Sequence, residues 1–209
     1  TVDNSEVRRG RATVSSLWGK NAAVLAGDYL FAKSATFMCD TGNIRVIRRF
    51  AETAMELSAG ELHELASVYN PDQTRDEYLR RIRNKTASLF TTAGESGGIL
   101  SGASEPTVQA LTEYSYNVGM AFQIVDDILD FQGAEEEVGK PVGNDLFQGT
   151  ITLPSILLME RYPDDNPIKN PFQDVKNDAN LKRAIEMIQN SDIIPQSYSV
   201  AADLCRKAT

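Results

Sequence analysis

The sequence predicts an all-α fold, a single-domain helical bundle over residues 1–209. Three observations carry this. Apolar residues recur at spacings of three and four through most of the chain. Strand-type alternation is nearly absent. The segments are punctuated by helix-start and helix-stop chemistry rather than by hairpin turns. No internal repeat or shift in composition marks a second domain.

The elements follow in order. After an irregular opening, residues 21–40 are rich in alanine and apolar on several sides, as a buried helix would be, and Gly42-Asn43 breaks them. From Ile44 a stripe of Ile47, Phe50, Ala51, Ala54, Leu57, Leu62 and Leu65 runs on to Asn70-Pro71. Thr74-Arg75-Asp76-Glu77 has capping-box form. It opens a helix through Lys85 and Phe90, whose far end Gly94 and Gly97-Gly98 should loosen. Ser104-Glu105-Pro106 starts the next helix, with proline tolerated in its first turn. Val108, Leu111, Ser115, Val118, Phe122, Val125 and Leu129 form its expected core-facing seam. Residues 133–149 carry four glycines and a proline and predict a loop; 151–160, 181–190 and 192–207 read as further helices. Residues 162–171 hold three prolines and predict a surface connection. The start has no initiator methionine or helix cap, and the end stops within a helical pattern, so both ends are expected to be truncated.

Charge narrows the function classes. Lysine and arginine number 21 against 29 aspartates and glutamates, a net charge of −8. That excludes nucleic acid as the main partner, because phosphate backbones need a basic face. Two cysteines far apart, Cys39 and Cys205, imply a reducing, cytoplasmic setting without a disulfide framework. No apolar run is long enough for an integral membrane segment.

The sharpest chemical feature is Gln123-Ile124-Val125-Asp126-Asp127-Ile128-Leu129-Asp130. On a helix, Asp126 and Asp127 lie one turn from Asp130, and Gln123 lies one turn before the pair. Carboxylates so placed repel unless a cation sits among them. A solvated acidic face is the alternative, against which the interleaved apolar residues argue. Hard oxygen ligands with no histidine or cysteine nearby favour magnesium. Downstream, the glycine-rich run from Gly139 to Gly149 offers Lys140 to a diphosphate, though Gly-Lys-Pro is common in turns. Lys85-Thr86 lies among Arg75, Arg80, Arg81 and Arg83, which also fit a solvated basic face. Asp3 precedes Arg8-Arg9-Gly10, and arginine forks match phosphate oxygens.

Taken together, Asp-x4-Arg-Arg-Gly (3–10), Gly-Asp-Tyr-Leu-Phe (27–31), Lys-Thr (85–86), Phe-Gln-x2-Asp-Asp-x2-Asp (122–130) and Gly-Lys-Pro-x-Gly-x-Asp-Leu-x2-Gly-x2-Thr-Leu-Pro (139–154) resemble the trans-isoprenyl diphosphate synthases. The resemblance covers most of the chain and implies the isoprenoid synthase bundle. It implies elongation of an allylic diphosphate with isopentenyl diphosphate, with Mg2+ held by two facing aspartate-rich motifs. Asp126, Asp127 and Asp130 match the second motif. Asp3 matches the last aspartate of the first, whose leading members would precede Thr1. Arg8 matches the arginine on the allylic diphosphate and Arg9 the one on isopentenyl diphosphate. Lys85, Thr86, Gln123 and Lys140 match residues around the allylic diphosphate and the developing carbocation, and Asp145 an aspartate of the following loop. Thr150 departs from the lysine many members carry there. The family implies a homodimer. His63, between Glu61 and Glu64, is expected at the surface.

Other readings compete on the same residues. A di-iron bundle needs two Glu-x-x-His pairs, which one histidine cannot supply. A terpene cyclase-like enzyme would lack the Arg-Arg-Gly and Gly-Lys-Pro-x-Gly-x-Asp runs together. A non-catalytic regulatory subunit of a heteromeric prenyl synthase is disfavoured by the complete second motif and by Lys85 and Lys140. Small residues in 21–40, among them Ala22, Ala26, Gly27 and Ala35, lead to the expectation of a medium-to-long product; alanines that merely permit close helix packing are the alternative.

Overall fold

A computed structural model of the chain describes residues 5–8, 10–132, 142–169 and 178–209. It is all-helical apart from one small hairpin, as expected. The chain divides into two compact units, Thr1–Ala51 and Glu52–Thr209.

In the first unit, β1 (Val7–Arg8) pairs antiparallel with β2 (Arg11–Ala12), Val7 opposite Ala12 and Arg8 opposite Arg11. The sequence suggested only irregular structure here; Gly10, at φ 72°, closes the turn. Helix α1 (Val14–Asp40) begins earlier than residue 21, because the Thr13 side chain caps it by accepting from the Ser16 N–H. Gly19, at φ 83° and ψ 165°, kinks it after its first turns. The expectation of a buried helix fails: no residue of α1 is buried, and Trp18 is 71 % exposed. An apolar composition shows that a helix wants cover, not that its own chain supplies it. Phe31 stacks on Phe50 with ring centroids 5.7 Å apart. As expected, α1 ends at Gly42, φ 62°. Asn43 then caps α2 (Ile44–Ser67), its Oδ1 accepting from the Arg45 and Val46 N–H groups.

The second unit holds the core. The Thr74–Glu77 capping box forms as read and opens α3 (Arg75–Ile82). A π turn at Arg83–Ala87 leads into α4 (Ser88–Leu100), followed by α5 (Glu105–Gln132), α6 (Asn144–Phe147), α7 (Leu153–Arg161), α8 (Asp178–Gln189) and α9 (Ile193–Lys207). Helix α5 is the axis, with α4 and α9 along it. Its Met120, Ile124, Ile128 and Phe131 are buried against Tyr78 and Ile82 of α3, Leu153 and Ile156 of α7, and Ile188 and Ile193 beyond. Burying a side chain of this size contributes about 1.5–3 kcal/mol.

Five local expectations are corrected. Val108 of the expected seam is buried and Val125 packs on the core, but the main buried seam of α5 is 120-124-128-131, and Phe122 is 56 % and Leu129 51 % exposed. Both stripes satisfy helical spacing, so only packing chooses between them. Gly94 and Gly98 do not loosen α4 but let α5 approach: a Cβ on Gly94 would sit 2.0 Å from Ser115 Oγ. The region predicted as a loop holds α6, begun at Gly143 in the left-handed region, φ 73°; residues 133–141 lie outside the described ones. The proline-rich connection is not wholly at the surface. Asn166 Oδ1 accepts from the Ile168 N–H at 2.9 Å and folds Ile168 into the core. His63 is also half-buried rather than exposed, close to Glu77.

Gly119 gives a direct check of this packing. A Cβ there would lie 2.8 Å from Ala87 Cα, and backbone cannot swing aside as a side chain can. Gly119→Ala is expected to cost about 1–3 kcal/mol of stability, read from urea unfolding. An unchanged unfolding midpoint would contradict this packing.

Candidate active site

The site begins with the π turn. The Ser88 N–H reaches the Arg83 carbonyl five residues back, one more than in an α-helix. Down the buried side the chain therefore steps from Tyr78 to Ile82, then to Ala87 and Thr91, intervals of four, five and four. With regular spacing, Thr86 would follow Ile82 into the core. The extra residue sends Ala87 there and leaves Lys85 and Thr86 half-buried at the edge. Two glycines admit the turn: Gly119 on α5, as above, and Gly60 on α2, where a Cβ would meet the Lys85 nitrogen at 2.8 Å. Ser88 Oγ donates to the Asn84 carbonyl at 2.7 Å.

Around this turn the polar groups form two networks. Lys85 Nζ donates to Glu64 Oε1 at 2.6 Å and lies 3.2 Å from Glu61 Oε2. Partial burial pulls the ammonium's pKa down, but Glu64 and then Glu61 outweigh it and leave it raised. Beside them Arg81 is buried, donating from Nη1 to Gln73 Oε1 at 2.8 Å and from Nη2 to the Ile151 carbonyl at 2.5 Å, with Nε 3.8 Å from Glu64. The second network starts at Thr86, whose hydroxyl donates to Gln123 Oε1 at 2.6 Å. Gln123 Nε2 donates to Asp127 Oδ1 at 2.8 Å and to Asp126 Oδ2 at 3.3 Å. The Tyr78 hydroxyl donates to Asp127 Oδ2 at 2.7 Å.

The three aspartates of α5 thus have different surroundings. Asp126 is exposed. Asp130 is half-buried and accepts from the Asp145 N–H at 3.1 Å, tying α6 back to α5. Asp127 is 5 % exposed and turned into the protein. Burial pushes its carboxyl up to about 7, against the Tyr78 and Gln123 hydrogen bonds that favour the anion. Burial and the Asp127 charge hold the Tyr78 phenol well above its ordinary range, so it remains a donor. Among the described residues, no three histidine, cysteine, aspartate or glutamate side chains are grouped to hold a metal by themselves. Phe122, one turn before Asp126, pairs with Phe90, one turn after Thr86, at 5.5 Å between centroids, and lays an apolar wall beside these polar groups.

Of the expected site residues, the fold brings together Thr86, Gln123, Asp126 and Asp127, with Lys85 on the same π turn and Asp130 one turn along α5. Arg8 is exposed on β1, in the other unit. Asp3, Arg9 and Lys140 lie outside the described residues. Asp145 accepts at its carbonyl from the Thr150 N–H at 2.8 Å. Sequence reasoning missed Gly60, Glu61, Glu64 and Tyr78, and it named Arg81 only within a basic segment that also fitted a solvated face, whereas Arg81 is buried. Gly60-Glu61 with Glu64 one turn on was a usable signal, a glycine and two carboxylates on a helix opposite a lysine. Tyr78 had none, since only packing brings it to Asp127, 49 residues on.

The family model for polyprenyl synthetase matches residues 1–190. The chain belongs to that family. Among polyprenyl synthetases it is 40 % identical over 209 residues to heptaprenyl diphosphate synthase component 2 of Geobacillus stearothermophilus, covering 99 % of this chain and 64 % of that protein. It is 35 % identical to solanesyl-diphosphate synthase 2, chloroplastic, of Oryza sativa subsp. japonica, over 97 % of this chain and 50 % of the relative. The crystal structure of heptaprenyl diphosphate synthase from Staphylococcus aureus superposes with a TM-score of 0.94 at 36 % identity, covering 99 % of this chain and 65 % of that one. The isoprenoid synthase bundle expected from the sequence is therefore the fold. The chain spans between half and two thirds of the length of these polyprenyl synthetases.

Proposed function

We propose that the protein to which this chain belongs elongates an allylic diphosphate with isopentenyl diphosphate, releases diphosphate, and makes a medium-to-long polyprenyl diphosphate. The observation that carries this is the junction of the π turn with α5, where Thr86 meets Gln123 beside Asp126 and the Phe90–Phe122 wall. Cation, oxygen lone pairs, carboxylates and apolar rings are what the ionisation of an allylic diphosphate requires.

Mg2+ is the implied metal, and the donor set fits it. Asp126 and Asp130 offer hard carboxylate oxygens one turn apart on α5, the donor type of an ion that takes one or two carboxylates plus substrate phosphates. Asp126 and Asp130 would hold it, with Asp3 assigned to the same metal by the family resemblance alone; when bound, it supplies positive charge to the departing diphosphate. Lys85 leaves Glu61 and Glu64 for a diphosphate oxygen; Arg8 and Lys140 are assigned to the allylic diphosphate by the family resemblance alone. Arg9 takes isopentenyl diphosphate. The oxygens of Thr86 and Gln123 face the developing cation, and the released diphosphate accepts the proton.

A homodimer in the cytoplasm is the proposed setting; the dimer rests on the family resemblance, and two exposed free cysteines, Cys39 and Cys205, fit a reducing compartment. Among the described residues no helix is long and apolar enough to cross a membrane. A second reading has a specific support: one relative is named a component 2, so this chain would pair with a different subunit. The test is incubation of the purified intact protein with a fifteen-carbon allylic diphosphate, labelled isopentenyl diphosphate and Mg2+. Products adding one or more units, to roughly twenty carbons or beyond, are expected. Chelation should abolish them and added Mg2+ restore them. No incorporation by the protein alone, but incorporation once a partner subunit is added, would favour the heteromeric reading; none in either case would overturn the proposal.

A further inference from the structure

We propose that Tyr78 is a positioning residue for this chemistry, acting through the buried Asp127 to fix the amide of Gln123 and the hydroxyl of Thr86. This rests on the proposed function and adds a residue outside every motif that pointed to it. It also moves Asp127 from the metal set to a structural acceptor beneath it.

The direction of each hydrogen bond carries the argument. Both Asp127 oxygens accept, each from a different donor, Tyr78 at 2.7 Å and Gln123 Nε2 at 2.8 Å. A glutamine amide has a donor end and an acceptor end, so Asp127 decides which way Gln123 faces. With Nε2 held inward, Oε1 is left to accept from Thr86 at 2.6 Å. Thr86 has then committed its one proton, and both groups turn lone pairs outward. Reversal of the amide would present N–H to a developing cation, the wrong sign. Tyr78 prevents this by locking the second carboxylate oxygen, so that Asp127 cannot rotate away. The phenol is itself immobile: it is fully buried, and the guanidinium of Arg81 lies 5.6 Å from its ring centroid. Each link removes one torsional freedom from the next, which is how a remote group controls a reacting one.

The test uses Tyr78→Phe and Asp127→Asn in the intact protein. Asparagine preserves the chain, since its Oδ1 accepts from Gln123 and its Nδ2 donates to the Tyr78 oxygen. Tyr78→Phe is expected to lower kcat about tenfold, with the Mg2+ concentration for half-maximal rate unchanged. Asp127→Asn should keep more activity than Asp127→Ala, again with unchanged Mg2+ dependence. A wild-type kcat in Tyr78→Phe, or a tenfold rise in the Mg2+ requirement of Asp127→Asn, would overturn the proposal. A second measurement needs no substrate: the side-chain amide signals of Gln123, assigned by their loss in Gln123→Met. Faster amide exchange in Tyr78→Phe supports the positioning role, and unchanged exchange contradicts it. An inactive wild-type protein would thus defeat the elongation reading while this result still judged the network.

Discussion

Arg81→Ala is expected to lower the unfolding free energy by about 3–5 kcal/mol, the usual loss when one partner of a buried charged cluster is removed. The guanidinium is buried and reaches three elements at once: Gln73 before α3, Ile151 before α7, and Glu64 on α2. Its loss strands the Gln73 amide oxygen and the Ile151 carbonyl out of water, each at about 1–3 kcal/mol. Arg81→Lys should recover little, because a single ammonium cannot reproduce a planar fork. Urea denaturation of each variant gives the numbers. A loss below about 1 kcal/mol for the alanine variant would show that water or a neighbouring side chain replaces the guanidinium.

Asp126→Ala carries the largest expected effect on turnover. Asp126 is the exposed carboxylate of the three on α5, outside the core and free to face a ligand. Removing a group that acts on transition-state charge costs on the order of 10²–10³ in kcat. Because its side chain is at the surface, stability without ligand should change by no more than about 0.5 kcal/mol. Kinetics with varied Mg2+ should also show a raised metal requirement, opposite to the expectation for Asp127→Asn. Near wild-type turnover in Asp126→Ala would remove the α5 carboxylates from the chemistry.

Much of this was legible in residue order. Capping chemistry placed the starts of α3 and α5 because a Thr-x-x-Glu box and a first-turn proline act locally. The pairing of Lys85-Thr86 with Gln123 was legible only through resemblance, since residues 37 apart meet by packing. Spacing on α5 gave two equally helical stripes, and the sequence reading chose the one that holds Phe122, which instead faces the site. Asp127 shows a different limit. Three aspartates look alike in a sequence, and only their surroundings separate an exposed carboxylate from a buried one. The extent of α1 was misjudged because one threonine cap and one kinked glycine extend a helix past the point where its apolar pattern begins.

The π turn at Arg83–Ala87 has a consequence for how the site responds to ligand. Reactive side chains held on loops must usually be ordered when a substrate arrives, and that ordering weakens binding. Lys85 and Thr86 sit instead within a continuous hydrogen-bonded ladder, wedged between Gly60 and Gly119. The conformational entropy of their backbone is lost during folding, before any diphosphate is present. On the proposed function, what remains to be settled on binding is the exchange of Lys85 between carboxylate and phosphate, a change of partner with no change of scaffold. This part of the site is therefore expected to be as rigid empty as filled.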